Sequence, residues 1–279
     1  MIYPRANGAD GPAVAAHYDE LDRFYRSVWG TNLHHGYWQS GDESTEEAIL
    51  NLSRLVATQA QITTGSRVCD FGCGYGDTAR FFAQEYGAEV TGMTISRRQH
   101  ELAQKTAGEG VKLLLCDGLV NNLPAQSFDA LVAIESSEHI GDKPSFFREA
   151  HRLLRHQGRL IVAAWLAREH ATVFEAKFLL EPICEEGRIP GMATPSEYLA
   201  MLEAAGFRDA EFSDLSRNVR KTWSVCAYRF VKIIGSNADL RRQWLRRDWA
   251  NRVFAKTVFR IWLAYRTGSM RYGVFSATK

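Results

Sequence analysis

The chain has 279 residues, 46% hydrophobic and 24% charged, with a formal net charge of +2 at pH 7. This composition is ordinary for a globular protein, and the near-neutral charge does not favour a nucleic-acid partner. No run of about 18 apolar residues predicts a membrane-spanning helix, and the N-terminus lacks the basic and apolar pattern of a signal peptide. The five cysteines show no metal-ligand spacing, so we expect reduced thiols, no metal site and a cytoplasmic protein.

The N-terminal part is expected to cover the rest of the fold. Residues 1–16, which include prolines and glycines, predict a flexible arm, and residues 17–62 predict a helical lid. Tyr18 begins the apolar spacing of the first helix. Ser44 and Glu47 form a capping-box pattern that predicts the start of the second helix.

From residue 63 to residue 168, strands and helices alternate, which is typical of right-handed crossovers and helices on both faces of a parallel sheet. Residues 169–279 are expected to complete this core and to carry helical insertions that cover a substrate pocket. The predicted fold is an α/β, Rossmann-like, open and mostly parallel seven-stranded sheet. Strands are expected at 67–71, 88–93, 111–116, 128–134, 158–164, 207–213 and 271–277, and core helices near 77–86, 96–107 and 143–154.

The most informative stretch is an apolar strand that runs into three glycines, Gly72, Gly74 and Gly76. Such glycines predict a tight turn that a ligand can approach, and the helix that follows offers its positive end. The dinucleotide pattern G-x-G-x-x-G fails because Asp77 occupies its last position, and the phosphate-loop ending Gly-Lys-Ser/Thr is absent. Asp70, at the strand tip, would repel a pyrophosphate but suits an ammonium or sulfonium cation.

An acidic residue followed by G-x-G-x-G resembles the first motif of class I S-adenosylmethionine (SAM)-dependent methyltransferases. The resemblance implies that fold, SAM as cofactor and S-adenosylhomocysteine as product. After the second strand, where many nucleoside sites place a carboxylate for the ribose, the chain has Gln99, whose alternative interpretation is a solvated helix residue. Asp117, after the third strand, can accept a hydrogen bond from an adenine amino group. We expect cofactor contacts from Tyr18, Asp70, Gly72, Cys73, Gly74, Gly76, Thr94, Ile95, Gln99, Asp117, Gly118 and Glu135.

The best candidates for acid–base chemistry follow the fourth strand. Glu135, Glu138 and His139 lie within five residues of one another beside the predicted cleft. We expect Glu135 to close the cofactor end and the other two to face the acceptor; the alternative for His139 is a histidine that caps the turn. The tandem pair His34 and His35 precedes the core. Because adjacent side chains point apart, we expect at most one of them, His35, to reach the site as part of the lid.

Residues 241–260 carry seven lysines and arginines and one acidic residue, interleaved with aromatic side chains. A nucleic-acid patch would show such a pattern. The spacing of Phe254, Val258, Trp262 and Tyr265 instead follows the apolar face of a helix that packs on the core or leans on a membrane surface. We therefore expect no nucleic-acid partner and a core-packing helix with a basic solvent face, and the alternative is a peripheral membrane contact through this helix.

Longer stretches of the chain resemble the γ-tocopherol C-methyltransferase family. They are residues 29–38, 135–139, 158–165, 215–219 and 270–275, and the resemblance spans residues 17–279. At residues 165–168 the chain reads Trp-Leu-Ala-Arg where the family has Trp-Cys-His-Arg.

The resemblance implies C-methylation of a lipophilic small molecule, an aromatic or prenyl acceptor in natural-product biosynthesis. His35, Glu138 and His139 are then the candidate catalytic residues, and a homo-oligomer is an expected assembly. The alternatives are N- or O-methylation of a natural product, a nicotinamide-dependent oxidoreductase, and a non-catalytic protein of the same fold.

Overall fold

The computed structural model describes residues 11–28, 32–236 and 250–279. Its strands are β1 Arg67–Phe71, β2 Glu89–Thr94, β3 Val111–Leu115, β4 Phe128–Ile134, β5 Leu154–Ala167, β6 Arg208–Asp214 and β7 Met270–Thr278. They form one seven-stranded sheet in the order β3-β2-β1-β4-β5-β7-β6. Strands β1 to β5 run parallel, and β7 lies antiparallel between β5 and β6. The predicted open and mostly parallel sheet is confirmed.

The predicted strand bounds hold to within one residue at each end, except for β5. That strand was expected to begin at Gly158 and end at residue 164. It is longer because its backbone pairs with β7 from Arg159 to Ala167, and its first residue, Leu154, pairs with Phe128 of β4.

Helices cover both faces of the sheet, and those at Asp77–Tyr86, Arg97–Gln104 and Lys143–Leu153 confirm the predicted core helices. A short 3₁₀ turn, Ser137–His139, follows β4, and a π-helical turn, Ala176–Leu180, joins α6 to α7. The helices are α1 Gly11–Val28, α2 Thr45–Gln59, α3 Asp77–Tyr86, α4 Arg97–Gln104, α5 Lys143–Leu153, α6 Val173–Glu175, α7 Glu181–Glu186, α8 Pro195–Ala204, α9 Ser216–Val219, α10 Lys221–Ser236 and α11 Ala250–Thr267.

Helix starts follow the side-chain caps that the sequence predicts. Ser44 accepts a hydrogen bond from the backbone N–H of Glu47 at 3.0 Å. At α8, Thr194 and Glu197 form a complete capping box, in which the side chain of each accepts from the backbone N–H of the other. Helix α1 begins at Gly11, five residues before the predicted end of the arm at residue 16, because Val14 is buried against the rest of the fold.

The sheet is buried on both faces, as expected for parallel strands. Leu52, Phe82 and Ile161 belong to one apolar layer, which also contains the buried faces of α7, α10 and α11. Phe146 and Tyr198 belong to the other layer, under α5 and α8. The carboxyl ends of the strands therefore remain the place where polar side chains can gather around a ligand.

Helix α1 lies over these strand ends and is tied to the core by acidic side chains. The hydroxyl of Ser96 donates to Asp19 at 2.5 Å, and the hydroxyl of Tyr75 donates to Asp22 at 2.6 Å. Ser96 caps the N-terminus of α4 and Tyr75 belongs to the glycine turn after β1, so α1 closes over both segments.

Candidate active site

One cavity of about 440 Å³ lies at the carboxyl ends of β1, β2 and β4, which is a usual size for a small-molecule site. Helix α1 contributes to its lining from one side, and α7 and α11 contribute from another. Gly76 lies just outside it, at the N-terminus of α3. The predicted site residues that line it are Tyr18, His35, Asp70, Gly72, Cys73, Gly74, Thr94, Ile95, Gln99, Asp117, Gly118, Glu135, Glu138 and His139.

The glycine turn leaves room that a side chain would fill. Gly72, Gly74 and Gly76 all have positive φ angles, of +87°, +54° and +74°. A Cβ atom on Gly72 would collide with the Cβ of Ser136, which follows β4. The turn therefore needs glycine both for its backbone conformation and for close packing on the neighbouring strand end.

Asp70, the fourth residue of β1, is a buried acid that the protein leaves incompletely paired. It is 3% exposed, and its Oδ2 atom has no hydrogen-bond partner in the described part of the chain. Burial raises the pKa of Asp70 from 3.8 to about 7. A buried carboxylate oxygen without a donor is costly, which makes this atom a candidate to bind a cationic ligand group.

Gln99 is buried at the start of α4, so the alternative of a solvated helix residue is wrong. Its Oε1 atom accepts a hydrogen bond from the hydroxyl of Thr94 at 3.1 Å, and the hydroxyl of Ser96 caps its backbone N–H. Its Nε2 atom would lie 3.9 Å from a Cβ on Gly74. The amide therefore faces the glycine turn with its donor end.

The end of β3 contributes an exposed acid and a packed glycine. Asp117 caps its own turn, because its Oδ1 atom accepts from the backbone N–H of Leu119 at 2.9 Å. A Cβ on Gly118 would collide with the ring of Phe71, so a larger residue does not fit at this position of the cavity wall. Asp117 stands at the cavity where the sequence predicts an adenine contact.

Glu135 is the most heavily bonded acid of the site. Its Oε1 atom accepts from the backbone N–H of His35 at 2.7 Å, from His35 Nδ1 at 2.9 Å and from the Tyr272 hydroxyl at 2.8 Å. Its Oε2 atom accepts from the indole N–H of Trp165 at 2.8 Å. Burial raises the pKa of Glu135, but its interactions with His35 outweigh this effect and lower the pKa to about 2.

His35 is the hydrogen-bond partner of Glu135. Both of its ring nitrogens are engaged within the protein, so neither is available to a substrate. The indole N–H of Trp223 donates to His35 Nε2 at 2.6 Å, so Nε2 is the acceptor and Nδ1 carries the proton that reaches Glu135. The ring is 1% exposed. His35 reaches the site as predicted, but as the partner of Glu135 and not as a free base.

The neighbouring His34 also lines the cavity, so the expectation that only one of the two histidines reaches the site is wrong. His34 Nδ1 lies 3.0 Å from the backbone oxygen of His35, which leaves Nε2 as an acceptor. Nε2 of His34 is buried and has no hydrogen-bond partner within the described residues, and the same holds for Oδ2 of Asp77. The sequence does not single out His34 or Asp77, because the placement of the His34 ring depends on its contact with the backbone oxygen of His35.

Glu138 lies in the short turn after β4 and is buried. Its Oε1 atom accepts from the backbone N–H of Trp165 at 3.0 Å. Burial, followed by the nearby charge of Glu135, raises the pKa of Glu138 to about 8. At neutral pH it is therefore mostly a neutral carboxylic acid.

His139 joins three separate segments. The hydroxyl of Tyr18 in α1 lies 2.9 Å from His139 Nε2, and His139 Nδ1 lies 3.4 Å from the backbone oxygen of Arg188 after α7. Burial lowers the pKa of His139 to about 4, so the ring is neutral at physiological pH. Tyr18, predicted to contact a cofactor, is thus also the partner of a candidate base.

The side of the cavity nearest β5 is apolar. In the sheet order, β4 separates β1, β2 and β3 from β5, so Trp165 lies away from the glycine turn. Its ring lies 5.6 Å from that of Trp223. The remaining apolar lining comes from Ile183, Ile189 and Ile261 of α7, the turn after it and α11. The cavity thus has a polar half and a mainly aromatic and aliphatic half, to whose side α7 and α11 also contribute Glu186 and Thr257.

The basic and aromatic segment is described only in part. Residues 241–249 and the side chain of Phe254 lie outside the described residues. In α11, Val258 and Ile261 are buried in the core, Phe259 is 60% exposed, and Arg266 lies 4.5 Å from the ring centre of Trp262. The described half is a core-packing helix with one solvent-exposed face. A search of the described residues finds no helix that could cross a membrane and no cluster of metal-binding side chains.

Glu135→Gln should lower the free energy of unfolding at pH 7 by about 3 kcal/mol, because a lowered pKa means that the ionised acid stabilises the fold. In the parent chain, this contribution is present above pH 4.5 and is lost as the pH falls towards 2, so the variant should also show a flatter acid limb. Glu138→Gln is the matched control, because a raised pKa predicts no loss. Urea denaturation from pH 2 to pH 9 measures both. Equal stability of the two variants would contradict this assignment.

The family model described as mycolic acid cyclopropane synthetase matches residues 7–272. The 27-O-demethylrifamycin SV methyltransferase of Amycolatopsis mediterranei is 33% identical over 219 residues, 76% of this chain and 80% of its own. A probable tocopherol O-methyltransferase of Oryza sativa subsp. japonica is 28% identical over 250 residues, 83% of this chain and 69% of its own. This match confirms the resemblance to tocopherol methyltransferases.

Solved structures agree on the fold. A mycolic acid cyclopropane synthase complexed with S-adenosylhomocysteine and CTAB superposes with a TM-score of 0.85 at 23% identity, covering 96% of this chain and 98% of its own. By its sequence match over most of its length, the chain belongs to the mycolic acid cyclopropane synthetase family of class I, SAM-dependent methyltransferases.

Proposed function

We propose that the enzyme transfers the methyl group of SAM to a carbon atom of a lipophilic small molecule, on an aromatic ring or a prenyl chain. The contrast between the two halves of the cavity carries this proposal. One half holds the unpaired Oδ2 of Asp70, and the other is walled by Trp165, Trp223 and isoleucines. Between them lie the buried acids Glu135 and Glu138. This arrangement suits a cationic donor that faces an apolar acceptor.

The residues of the polar half fit SAM. SAM, when bound, supplies an electrophilic methyl group on a sulfonium sulfur. Asp70 Oδ2 is the acceptor for its ammonium group, and the glycine turn leaves the space for its methionine part. Gln99 offers an amide donor to the ribose, and Asp117 offers an acceptor to the adenine amino group.

The apolar half would hold the acceptor for in-line attack. Reacting atoms must be held about 3–3.5 Å apart, and this positioning supplies most of the acceleration in a methyl transfer. Contacts of a bulky acceptor with Trp165, Trp223 and Ile261 provide binding energy remote from the reacting carbon, which can be used for that positioning. A small polar acceptor would not make these contacts with the apolar half.

Carbon methylation also requires removal of a proton. As the new carbon–carbon bond forms and the sulfur–carbon bond breaks, the acceptor becomes cationic and must release a proton to a base. The neutral ring of His139 can accept that proton at Nε2 when the Tyr18 hydroxyl gives up its contact. Glu135, which stays ionised, offsets the positive charge on the acceptor. O-methylation of a phenol is the second candidate, because a hydroxyl acceptor needs the same base.

The exposed face of α11 supports a further part of the proposal, a peripheral membrane contact. Phe259 is exposed and stacks on Trp262 at 5.5 Å, with Arg266 over the same indole. Such a face fits an interface that supplies a lipophilic acceptor to a cytoplasmic enzyme. Sedimentation with anionic vesicles checks the contact, and light scattering in solution checks the expected homo-oligomer.

Incubation with SAM and a panel of prenylated phenols, indoles, prenyl diphosphates and polar amines tests the reaction. We expect products that gain one methylene unit in mass from lipophilic acceptors only. An acceptor deuterated at the reacting carbon should lose its deuterium, which separates C-methylation from O-methylation. NADH in place of SAM is the control. Turnover confined to polar amines would contradict the proposal.

Asp70→Asn should weaken SAM binding at pH 8 at least about tenfold, because a charge-assisted contact to the ammonium is lost. The same change should stabilise the ligand-free protein at pH 8 by up to about 4 kcal/mol, since a raised pKa means that ionised Asp70 opposes folding. This cost appears as the pH rises above 3.8 and is complete above pH 7. Isothermal titration and urea denaturation measure the two effects. Asp42→Asn, on an exposed loop, is the control, and an unchanged SAM affinity of Asp70→Asn would contradict the site.

His139→Ala should lower kcat by about 10²- to 10⁴-fold and leave SAM affinity unchanged. If His139 is the base, its pKa of about 4 predicts a kcat/KM that is flat from pH 6 to pH 9. If Glu138 is the base, its pKa of about 8 predicts instead a rise of about tenfold per pH unit up to pH 8. A pH–rate profile of the parent enzyme decides between these residues. A rising profile, or full activity of His139→Ala, would remove His139 from the mechanism.

A further inference from the structure

A buried lysine lies beneath the turn that carries Glu138 and His139, and the mechanism above does not use it. Lys143, the first residue of α5, is 1% exposed. Its Nζ atom lies 3.0 Å from the backbone oxygen of Ile140, 3.3 Å from that of Glu138 and 3.3 Å from that of Gly191. It forms no ion pair with any carboxylate of the described residues within 4.0 Å.

This arrangement satisfies the ammonium group without neutralising it. The three N–H donors of a lysine meet three carbonyl acceptors, so no donor remains unpaired. Full burial of a lysine without a counter-ion is rare, because the charge loses its hydration. Burial accordingly lowers the pKa of Lys143 to about 8. A hydrocarbon side chain would fill the same space without this penalty but would leave three buried carbonyl groups unpaired.

The three carbonyl groups belong to two walls of the cavity. Glu138 and Ile140 lie in the turn after β4, which presents the candidate acid and base. Gly191 lies in the segment after α7, close to Ile189 of the apolar half and to the backbone oxygen of Arg188 that contacts His139. Lys143 Nζ therefore connects these two segments through a single charged atom.

We propose that Lys143 is a positioning residue for methyl transfer: its ammonium group draws the turn of Glu138 and His139 against the segment at Gly191. The distance between the base and the acceptor chamber is then set by one buried cation. The inference rests on the proposed role of His139, but it concerns the placement of that ring and not the identity of the acceptor.

The groups that face the ammonium define an electrostatic readout. They are Glu138 and His139 of the turn and Cys184 of α7. The positive charge of Lys143 lowers the pKa of both Glu138 and His139, beside the larger effects of burial. Removal of the charge should therefore raise both pKa values. A residue that only fills space would leave them unchanged.

The first test is Lys143→Met, which removes the charge with an unbranched side chain that is one heavy atom shorter. We expect kcat to fall about 100-fold, with SAM affinity within about twofold of the parent, because a misplaced base affects the chemical step alone. Histidine ring ¹⁵N signals, with His139 assigned from the spectrum of His139→Gln, should show a higher pKa for His139. A parent-like kcat together with an unmoved His139 titration would overturn the inference.

A second variant tests the role of Lys143 even if Lys143→Met folds poorly. Lys143→Ala leaves a space that matches n-propylammonium, which restores the missing atoms and all three N–H donors. We expect this cation to raise kcat of the variant about tenfold, while tetramethylammonium, which has the same charge and no N–H donor, does not. No recovery with n-propylammonium, or equal recovery with both cations, would overturn the inference. The outcome is independent of whether carbon or oxygen is methylated.

Discussion

Two buried carboxylates on adjacent strands define this site, and they differ in how the protein pairs them. Glu135, after β4, receives four hydrogen bonds, and its pKa is lowered to about 2. Asp70, in β1, keeps one oxygen without a donor, and its pKa is raised to about 7. A buried acid must be neutralised or paired. Glu135 is paired by the fold, and we propose that Asp70 is left for a cation that arrives with the ligand.

The pairing of Glu135 also explains how distant parts of the chain come together. Its donors are His35 from the segment before α2, Trp165 of β5 and Tyr272 of β7. His139 makes a second junction, between α1 and the segment after α7, and Lys143 makes a third beneath the same turn. The cavity is therefore assembled by polar contacts between its walls, although one half of its lining is mainly apolar.

The sequence predicts the core because its signals are local. The strand ending at Phe71, the glycine turn and the helix that follows are encoded within about ten residues, and Asp70 and Gln99 are recognisable from their distance to a strand end. The cavity position of His34 and the buried environment of Lys143 cannot be read from the sequence, because both depend on contacts formed in the folded structure. The pairing of Tyr18 with His139 joins positions 121 residues apart, and no local pattern encodes it. His35 was predicted as part of the lid, but its saturation by Trp223 and Glu135 depends on the tertiary fold.

The most direct test of the central claim, that Asp70 is left unpaired for a cationic ligand, is a crystal structure of the enzyme with S-adenosylhomocysteine. The account predicts the ligand ammonium within about 3 Å of Asp70 Oδ2, the adenine beside Asp117 and the chamber at Trp165 left free for the acceptor. An ammonium group held elsewhere while Asp70 stays unpaired would contradict it, and so would a pyrophosphate bound against the glycine turn.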